Sequence, residues 1–580
     1  MRLLPLLALA ASLAAPALAT ALEPAQVDQY FRHVHEREGV VAAPVASDAE
    51  FLRRLSLDVR GVIPTVEETI AFLSDDAPDK RARVIDEFLA SPERGAHWAE
   101  YWDTLLVGAL EQPANPQAQR AIKQPWKEWV AKQVNANKPY DLFVREIVTA
   151  EGDSHDDPQV LPLARWRDAP ESMAGSVSRV FLGVQIQCAQ CHDHKTNPEL
   201  TQDKFWEFAS FFSPTRVSFI PPKRGNGDGM MSMQDLVPLL VVTDVGAPPR
   251  TEIPDVTPKR FVSPAYLNGV RPSLPDPRKG RNPREMRAMQ ASLRELREQF
   301  EQTRDPALLG EARRLAAGFS DHRREAAMDL MLQHDGDLLA ANLVNRLWAR
   351  LTGFGFLEPV DEWGMGIEPE HPELLRALVD EFIASGHDLR HIERIILNSE
   401  AYQRSSRPVE GGSDDPRLLA QGMVRPLSAT QLLQSLAAVT DLEAAARSRV
   451  RNSRQFERLM ADYHSRFVFN FGSDELEWVS TFQSSIPQAL YLLNDPTINE
   501  AVKFREDGPL GRIAQTTDDP RDAVRYLYLM VLSREPDAGE LAWLTGELMA
   551  ARGRSEKEAA ALLEDAAWAL LASTEFMTNH

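Results

Sequence analysis

The chain has 580 residues, 43% of them hydrophobic and 26% charged, with a formal net charge of −21. That length is too great for one hydrophobic core and predicts two or three domains. A negative field of this size repels nucleic acid and anionic membrane surfaces, so charge-driven binding to either is excluded.

Arg2 is the only charge before Glu23, the run Leu3 to Leu13 is almost wholly Leu, Ala and Pro, and Ala17-Leu18-Ala19 offers a small-x-small cleavage site. This is the pattern of a secretory signal peptide over residues 1–19. Its apolar run is too short to span a bilayer, and no later stretch reaches about 18 uncharged apolar residues. The expectation is a soluble protein secreted across the cytoplasmic membrane into the periplasm, with no transmembrane anchor. A short N-terminal segment, residues 20–45, precedes the first clear helical pattern.

From about 46 to 215 the pattern is helical. Ser47-Asp48-Ala49-Glu50 and Thr65-Val66-Glu67-Glu68 read as capping boxes, with Gly61 and Pro64 ending the helix between them. Val84, Ile85, Phe88 and Leu89 define one buried stripe. Ser91-Pro92 opens a further helix, in which Trp98, Tyr101, Trp102 and Leu105 share a face that reads as core. Met173–Gln187 predicts a helix running directly into Cys188, and Asp203–Phe212 another that is rich in aromatics.

From about 214 to 282 prolines crowd in. Gly225-Asn226-Gly227-Asp228-Gly229 reads as a flexible loop, Leu239–Val245 as a β-strand and Phe261–Leu267 as a second. Pro283–Gln302 alternates acidic and basic residues, which predicts a solvated helix. Beyond about 320 the chain is helical again. Leu338–Leu351 has the periodicity of a buried helix, interrupted by Asn342, Asn345 and Arg346, and N-cap signatures recur at Asp519, Asp537 and Ser555. The fold class expected is mainly α, with helical domains at 46–215 and 321–580 joined by a small β-containing, Pro/Gly-rich module and charged helix at 216–320.

The chemistry concentrates at Cys188-Ala189-Gln190-Cys191-His192, which holds the only two cysteines of the chain. C-x-x-C-H is the attachment signature of c-type haem: the thiols of Cys188 and Cys191 bond to the porphyrin and His192 is the proximal iron ligand. Met230, Met231, Met233 and His155 are candidate distal ligands, and thioether ligation would favour a raised potential. In the alternative reading, Cys188 and Cys191 form a disulfide, or hold a structural zinc with His192, His194 and Asp193. His387 and His391, spaced i, i+4 on a helix, and the adjacent acids Asp361 and Glu362 are lesser candidates, for which capping or solvent-facing roles are favoured. The sequence holds no P-loop, no Rossmann glycine pattern in a strand-to-helix context and no nucleophile elbow.

Longer segments carry a family likeness. Phe51-Leu52-Arg53-Arg54-Leu55-Ser56-Leu57-Asp58-Val59-Arg60-Gly61-Val62-Ile63-Pro64, Leu89-Ala90-Ser91-Pro92, Asn137-Lys138-Pro139-Tyr140-Asp141-Leu142-Phe143, and Phe181-Leu182-Gly183 leading to the cysteine motif resemble the planctomycete cytochrome-type domain of unknown function. Asn345–Arg350, Glu358–Asp361, His371–Leu375, Ile486–Asn494 and the ending Trp568–His580 resemble the companion domain that usually follows it. The resemblance implies an exported, mostly helical, two-domain protein with a cytochrome-like motif and no established activity. The functional expectation is electron transfer, or haem-dependent redox chemistry on a substrate and with an exported partner that the sequence does not name. A non-haem exported binding or assembly protein is the alternative.

Overall fold

The computed structural model describes residues 21–110, 116–195, 197–222, 237–244, 250–276, 282–303, 305–317, 320–364, 366–471 and 494–580. It is 61% helical with a few short antiparallel strands, so the protein is mainly α. No helix among the described residues is long and apolar enough to cross a membrane. The signal-peptide segment lies outside the described residues.

The chain packs into two compact units, and neither is one contiguous segment. One gathers Trp98–Ala349 and Gly355–Ile392; the other gathers Glu23–His97, Arg350–Phe354 and Glu393–His580. The boundaries between the packed units fall inside the segments 46–215 and 321–580, whereas 216–320 lies within one unit.

In the unit built from the chain's two ends, helix Asp48–Arg60 starts where the Ser47 side chain accepts from the Glu50 amide at 3.2 Å. The reciprocal bond of a capping box is recorded at Thr65 and Glu68, and not at Ser47. Phe51, Leu52, Leu55 and Leu57 are buried, as the periodicity requires, but so are Arg53, Arg54 and Asp58. Charges in such surroundings are costly unless they are paired or hydrogen-bonded. Arg53 donates to the carbonyls of Phe576 (2.9 Å), Glu575 (3.4 Å) and Val531 (3.4 Å). Arg54 donates to the carbonyls of Tyr402 and Arg404, each at 2.7 Å, and to Glu50 at 2.9 Å. Desolvation pulls Arg53 down to about 10, still charged at neutral pH. Asp58 accepts from Arg425 (2.9 and 3.0 Å), the Tyr402 hydroxyl (3.0 Å) and the Asn579 amide (2.8 Å). Beside this network, strands β6 (Arg425–Pro426) and β7 (Thr578–Asn579) pair antiparallel, Arg425 opposite Asn579. The apolar core joins Leu57, Ile63 and Val66 to Leu432, Leu436, Val524, Leu527, Leu548 and Phe576.

In the other unit, the aromatic face expected at Trp98, Tyr101, Trp102 and Leu105 is core. The Trp102 ring lies 5.5 Å from Phe143 and 6.3 Å from Phe181 between centroids. Strands β1 (Gly152–Asp153), β2 (Thr215–Ile220) and β3 (Leu239–Asp244) form one antiparallel sheet in the order β1-β3-β2, with Val217 and Gly152 flanking Val242. A second pair, β4 (Thr251–Glu252) and β5 (Phe261–Val262), is shorter than the strand expected over Phe261–Leu267. Pro264 offers no amide to a ladder, and the chain turns instead through Tyr266–Val270. Helix Pro283–Thr303 is exposed along most of its length, as its charge pattern predicts, but Phe300 is buried against Ile220 and Val241. The expected helix Leu338–Leu351 is the second part of a longer one, Arg323–Thr352, broken by non-helical geometry at Asp335. Its polar interruptions are internal partners: Asn342 donates to the Val180 carbonyl at 2.8 Å, and Asn345 bridges the backbone of Leu357 at 3.0 and 3.1 Å. Arg324, also buried, is clasped by Asp244 (3.0 and 3.1 Å) and by the carbonyls of Val148 and Ala150.

Two predictions follow from these buried charges. Asp58→Ala leaves Arg425 without its carboxylate and removes acceptors from Tyr402 and Asn579. The cost expected is on the order of 3–5 kcal/mol, seen as a large fall in melting temperature; a fall of only a degree or two would show the network to be dispensable. In the other unit, Glu151 lies beside the Arg324–Asp244 pair, and desolvation, with the adjacent Asp244 carboxylate, pushes its carboxyl up to about 7 against the opposing pull of Arg324. A folded-state value above the unfolded one means that the folded chain holds the extra proton. Glu151 therefore takes stability away as pH rises from about 4.5 through 7. Glu151→Gln should be neutral at pH 4.5 and stabilising at pH 8, by on the order of 1–2 kcal/mol after allowing for partial solvent contact. Melting curves of both proteins at the two pH values check this, and a variant equally or less stable at pH 8 would contradict it.

Candidate functional site

The helix expected to run from Met173 into the cysteines does not do so. Helix Pro170–Val177 widens into a π-helical turn through Ser178–Leu182 and stops at Gly183, where φ is +68°. No side chain could replace that hydrogen, because a Cβ there would lie 2.3 Å from the Trp363 ring and 2.4 Å from the Asn342 side chain. The chain then runs without regular structure to a separate 3₁₀ turn, Gln187–Gln190, which carries the motif. Gly175 makes room for that turn as well: a Cβ on it would meet the Gln187 side chain at 2.6 Å.

Within the turn, Ala189 is fully buried while Cys188, Cys191 and His192 are exposed, and both cysteines are free thiols. The inner side is tied down by the next helix, Gln202–Ala209. The Gln202 side chain donates to the carbonyls of Gln190 and Cys191, each at 3.1 Å, and the Trp206 indole donates to Gln190 at 3.0 Å. Outward-facing thiols on an anchored backbone are thus the local geometry. The His192 ring places Nδ1 2.8 Å from the Asp193 carbonyl. A carbonyl only accepts, so Nδ1 carries the proton and the lone pair of the neutral ring sits on Nε2.

Asp193 and His194, proposed above as further metal ligands, are engaged elsewhere. The Asp193 carboxylate accepts from the Gln202 amide at 2.9 Å. His194 is buried, and its Nδ1 accepts from the Asn197 amide at 3.1 Å. Among the described residues no group of three or more His, Cys, Asp and Glu is placed to hold a metal ion. His155 lies in the turn after β1, with its ring paired to Asp156 at 2.9 Å. Met230, Met231 and Met233 lie outside the described residues. His387 and His391 do not share a helical face, because His387 precedes helix Leu389–Leu397 in left-handed geometry, φ +61°. His391 meets Glu381 at 2.6 Å, and His387 lies 3.7 Å from Asp141. Asp361 is buried, 3.8 Å from Arg179 and 4.0 Å from Arg346.

A feature absent from the sequence reading is the strap that holds the motif loop on both sides. Before the cysteines, the Trp363 amide donates to the Gly183 carbonyl at 2.9 Å and the Gln185 side chain donates to Asp361 at 3.1 Å. After them, the Asn197 side chain reaches the Gly364 carbonyl at 3.4 Å. Gly183 at the close of an apolar run carried a readable helix-stop signal. Gln185, Gln202 and Trp206 carry none, since their partners are fixed only by the fold.

Residues 26–217 match the family model PSCyt2, described as a protein of unknown function (DUF1549), and residues 323–548 match PSD1, likewise a protein of unknown function (DUF1553). The chain belongs to the PSCyt2–PSD1 proteins. No curated protein and no solved structure matches it. The motif loop lies in the PSCyt2 match, and the turn that straps it, Asp361–Gly364, lies in the PSD1 match.

Gly183→Ala should therefore damage the site from behind. Left-handed strain and the contact with Trp363 together cost on the order of 2–4 kcal/mol. Thermal unfolding measures it, and a loss below about 0.5 kcal/mol, the scale of an ordinary surface substitution, would show that the close approach of Trp363 to Gly183 is not needed.

Proposed function

We propose that this is an exported, periplasmic protein in which Cys188 and Cys191 carry a covalently bound haem c, with His192 as its axial ligand, serving electron transfer or a haem-dependent redox step. The observation that supports this most is the combination of two exposed free thiols at C-x-x-C spacing with a histidine whose Nδ1 is occupied by a carbonyl. A ligating imidazole uses one nitrogen for the metal and donates from the other, which fixes the ring and raises the basicity of the ligating atom. The donor set therefore fits the group. Bound haem would supply one-electron chemistry whose potential follows the axial ligands and the burial of the site.

The chain's own residues have defined parts in this reading. Gln202 and Trp206 hold the turn's carbonyls inward, so the thiols stay presented to an incoming reactant. Asp193 contributes its carbonyl to the His192 ring and its carboxylate to the start of the following helix. His155 and the three methionines of residues 230–233 remain the candidates for the second axial position. Export rests on the charged start, short apolar run and small-x-small site of residues 1–19.

The test is expression of the full chain in a host equipped for cytochrome c maturation, followed by a pyridine-haemochrome spectrum and an intact mass. A c-type band with the added mass of one haem, both lost in Cys188→Ala/Cys191→Ala, is the expected result. A colourless protein would overturn the haem reading. A mass reduced by the hydrogens lost on disulfide formation would favour the non-haem alternative, and zinc retained by the colourless protein its structural-metal form.

A further inference from the structure

Helix Ala538–Arg554 packs Leu544, Leu548 and Ala551 into the core of its unit and leaves the opposite face in solvent. That face carries the two most exposed large apolar side chains among the described residues, Trp543 at 67% and Met549 at 60%. Exposure of this kind on one helix face is not required by anything inside the chain. Between them lies Gly546. A Cβ added there would meet nothing within 4 Å, so no internal contact demands glycine. A mid-helix glycine nevertheless costs about 1 kcal/mol relative to alanine. The helix is weakened to keep a bare strip between two apolar side chains.

The face is also symmetric about Gly546. Trp543 and Met549 stand three positions either side of it, Ala542 and Ala550 four, and Gly539 and Gly553 seven. At about 100° per residue these fall within about 60° of the Gly546 direction, alternately on its two flanks. An antiparallel pair of identical helices related by a two-fold axis sets each position before the centre level with its mirror position after the centre on the other copy. Glycine then meets glycine along the middle, which lets the backbones approach closely. Trp543 falls over the second copy's Ala550, and Met549 over the second copy's Ala542, so each large side chain meets a small one. Charge agrees with that direction: Glu540, which also pairs with Arg534 near the start of the helix, and Arg554, which also pairs with Glu558 at its end, lie on the Trp543 flank, and the antiparallel arrangement brings Glu540 of each copy towards Arg554 of the other. A parallel pair would bring like charges together.

We infer that this face is a self-association surface, covered by the same face of a second copy in an antiparallel, two-fold arrangement centred on Gly546. It does not depend on the haem reading, since it lies in the unit that does not carry the cysteine motif.

Sedimentation velocity and light scattering on the full chain, over a range of concentrations, test it. A dimer is expected, with a dissociation constant raised at least about tenfold by Trp543→Glu. The far-UV spectrum of that variant should be unchanged, because the position is exposed. Gly546→Cys, placed in a Cys188→Ser/Cys191→Ser background, should join two copies by a disulfide on oxidation, whereas Ala561→Cys on the next helix should not. A wild-type chain that is monomeric throughout, a dimer indifferent to Trp543→Glu, or a Gly546→Cys protein that does not cross-link more than Ala561→Cys would each overturn the inference. Should Trp543→Glu fail to fold, Trp543→Ala and the cross-link give the same decision.

Discussion

Buried charge on the helix Asp48–Arg60 is the constraint from which much of one unit follows. Three ionised groups, Arg53, Arg54 and Asp58, sit on a helix that is otherwise core. Removing such groups from water costs several kcal/mol each unless hydrogen bonds replace the lost hydration. Helix Asp48–Arg60 supplies few of those bonds itself; only Glu50 answers Arg54 from within it. The remainder come from residues 402–404, 425, 531 and 575–579. An early segment of the chain is thus incomplete until the last residues arrive, which favours a fold dominated by contacts between distant positions and the slow closure that such contacts imply. It also explains why the extreme C-terminus is structured: β7 pairs with β6, and Asn579 donates to Asp58.

The cysteine motif illustrates the opposite arrangement, in which a short local sequence holds the reactive atoms and the fold supplies only their posture. Alternation of exposed and buried residues on a single turn puts Cys188 and Cys191 outward around the inward Ala189. The posture then rests on hydrogen bonds to backbone carbonyls, which restrain the main chain without spending the thiols or the His192 Nε2. A helix from Pro170 that continued through residue 195 would have spent those carbonyls on its own ladder. The helix ends at Gly183 instead, and the carbonyls of Gln190 and Cys191 are acceptors for Gln202 and Trp206.

Much of this was readable in the residues and part was not, for physical reasons. Local signals were faithful: the Thr65 and Asp537 capping boxes formed, the Trp98–Leu105 face was buried, and β3 occupies the expected strand position. Composition was a poorer guide where charge is internal. Asn342 reads as an interruption, and Arg53, Arg54 and Arg324 carry no signal of burial, because nothing local distinguishes a solvated arginine from one that will meet carbonyls more than a hundred residues away. The same limit applies to His194, which sits two residues from His192 with the same side chain. One is buried with its Nδ1 accepting an amide, the other exposed with its Nδ1 donating, and only the packed loop separates them.

The pairing of the two family matches in one chain has a structural reason in these contacts. The PSCyt2 match spans 26–217, yet its first portion packs with residues beyond 393, and its second packs with Gly355–Ile392 from the PSD1 match. Each match therefore shares its packed unit with residues of the other. A chain cut in the 218–322 interval would leave Arg53 and Asp58 without their carbonyl and arginine partners, and would leave Gly183, Gln185 and Asn197 without the Asp361–Gly364 turn. The first loss exposes buried charge, and the second frees the segments that bracket the cysteines. The posture of the loop that carries Cys188–His192 thus rests in part on Asp361, 176 residues beyond Gln185, so the segment that contains the motif is braced by residues of the PSD1 match.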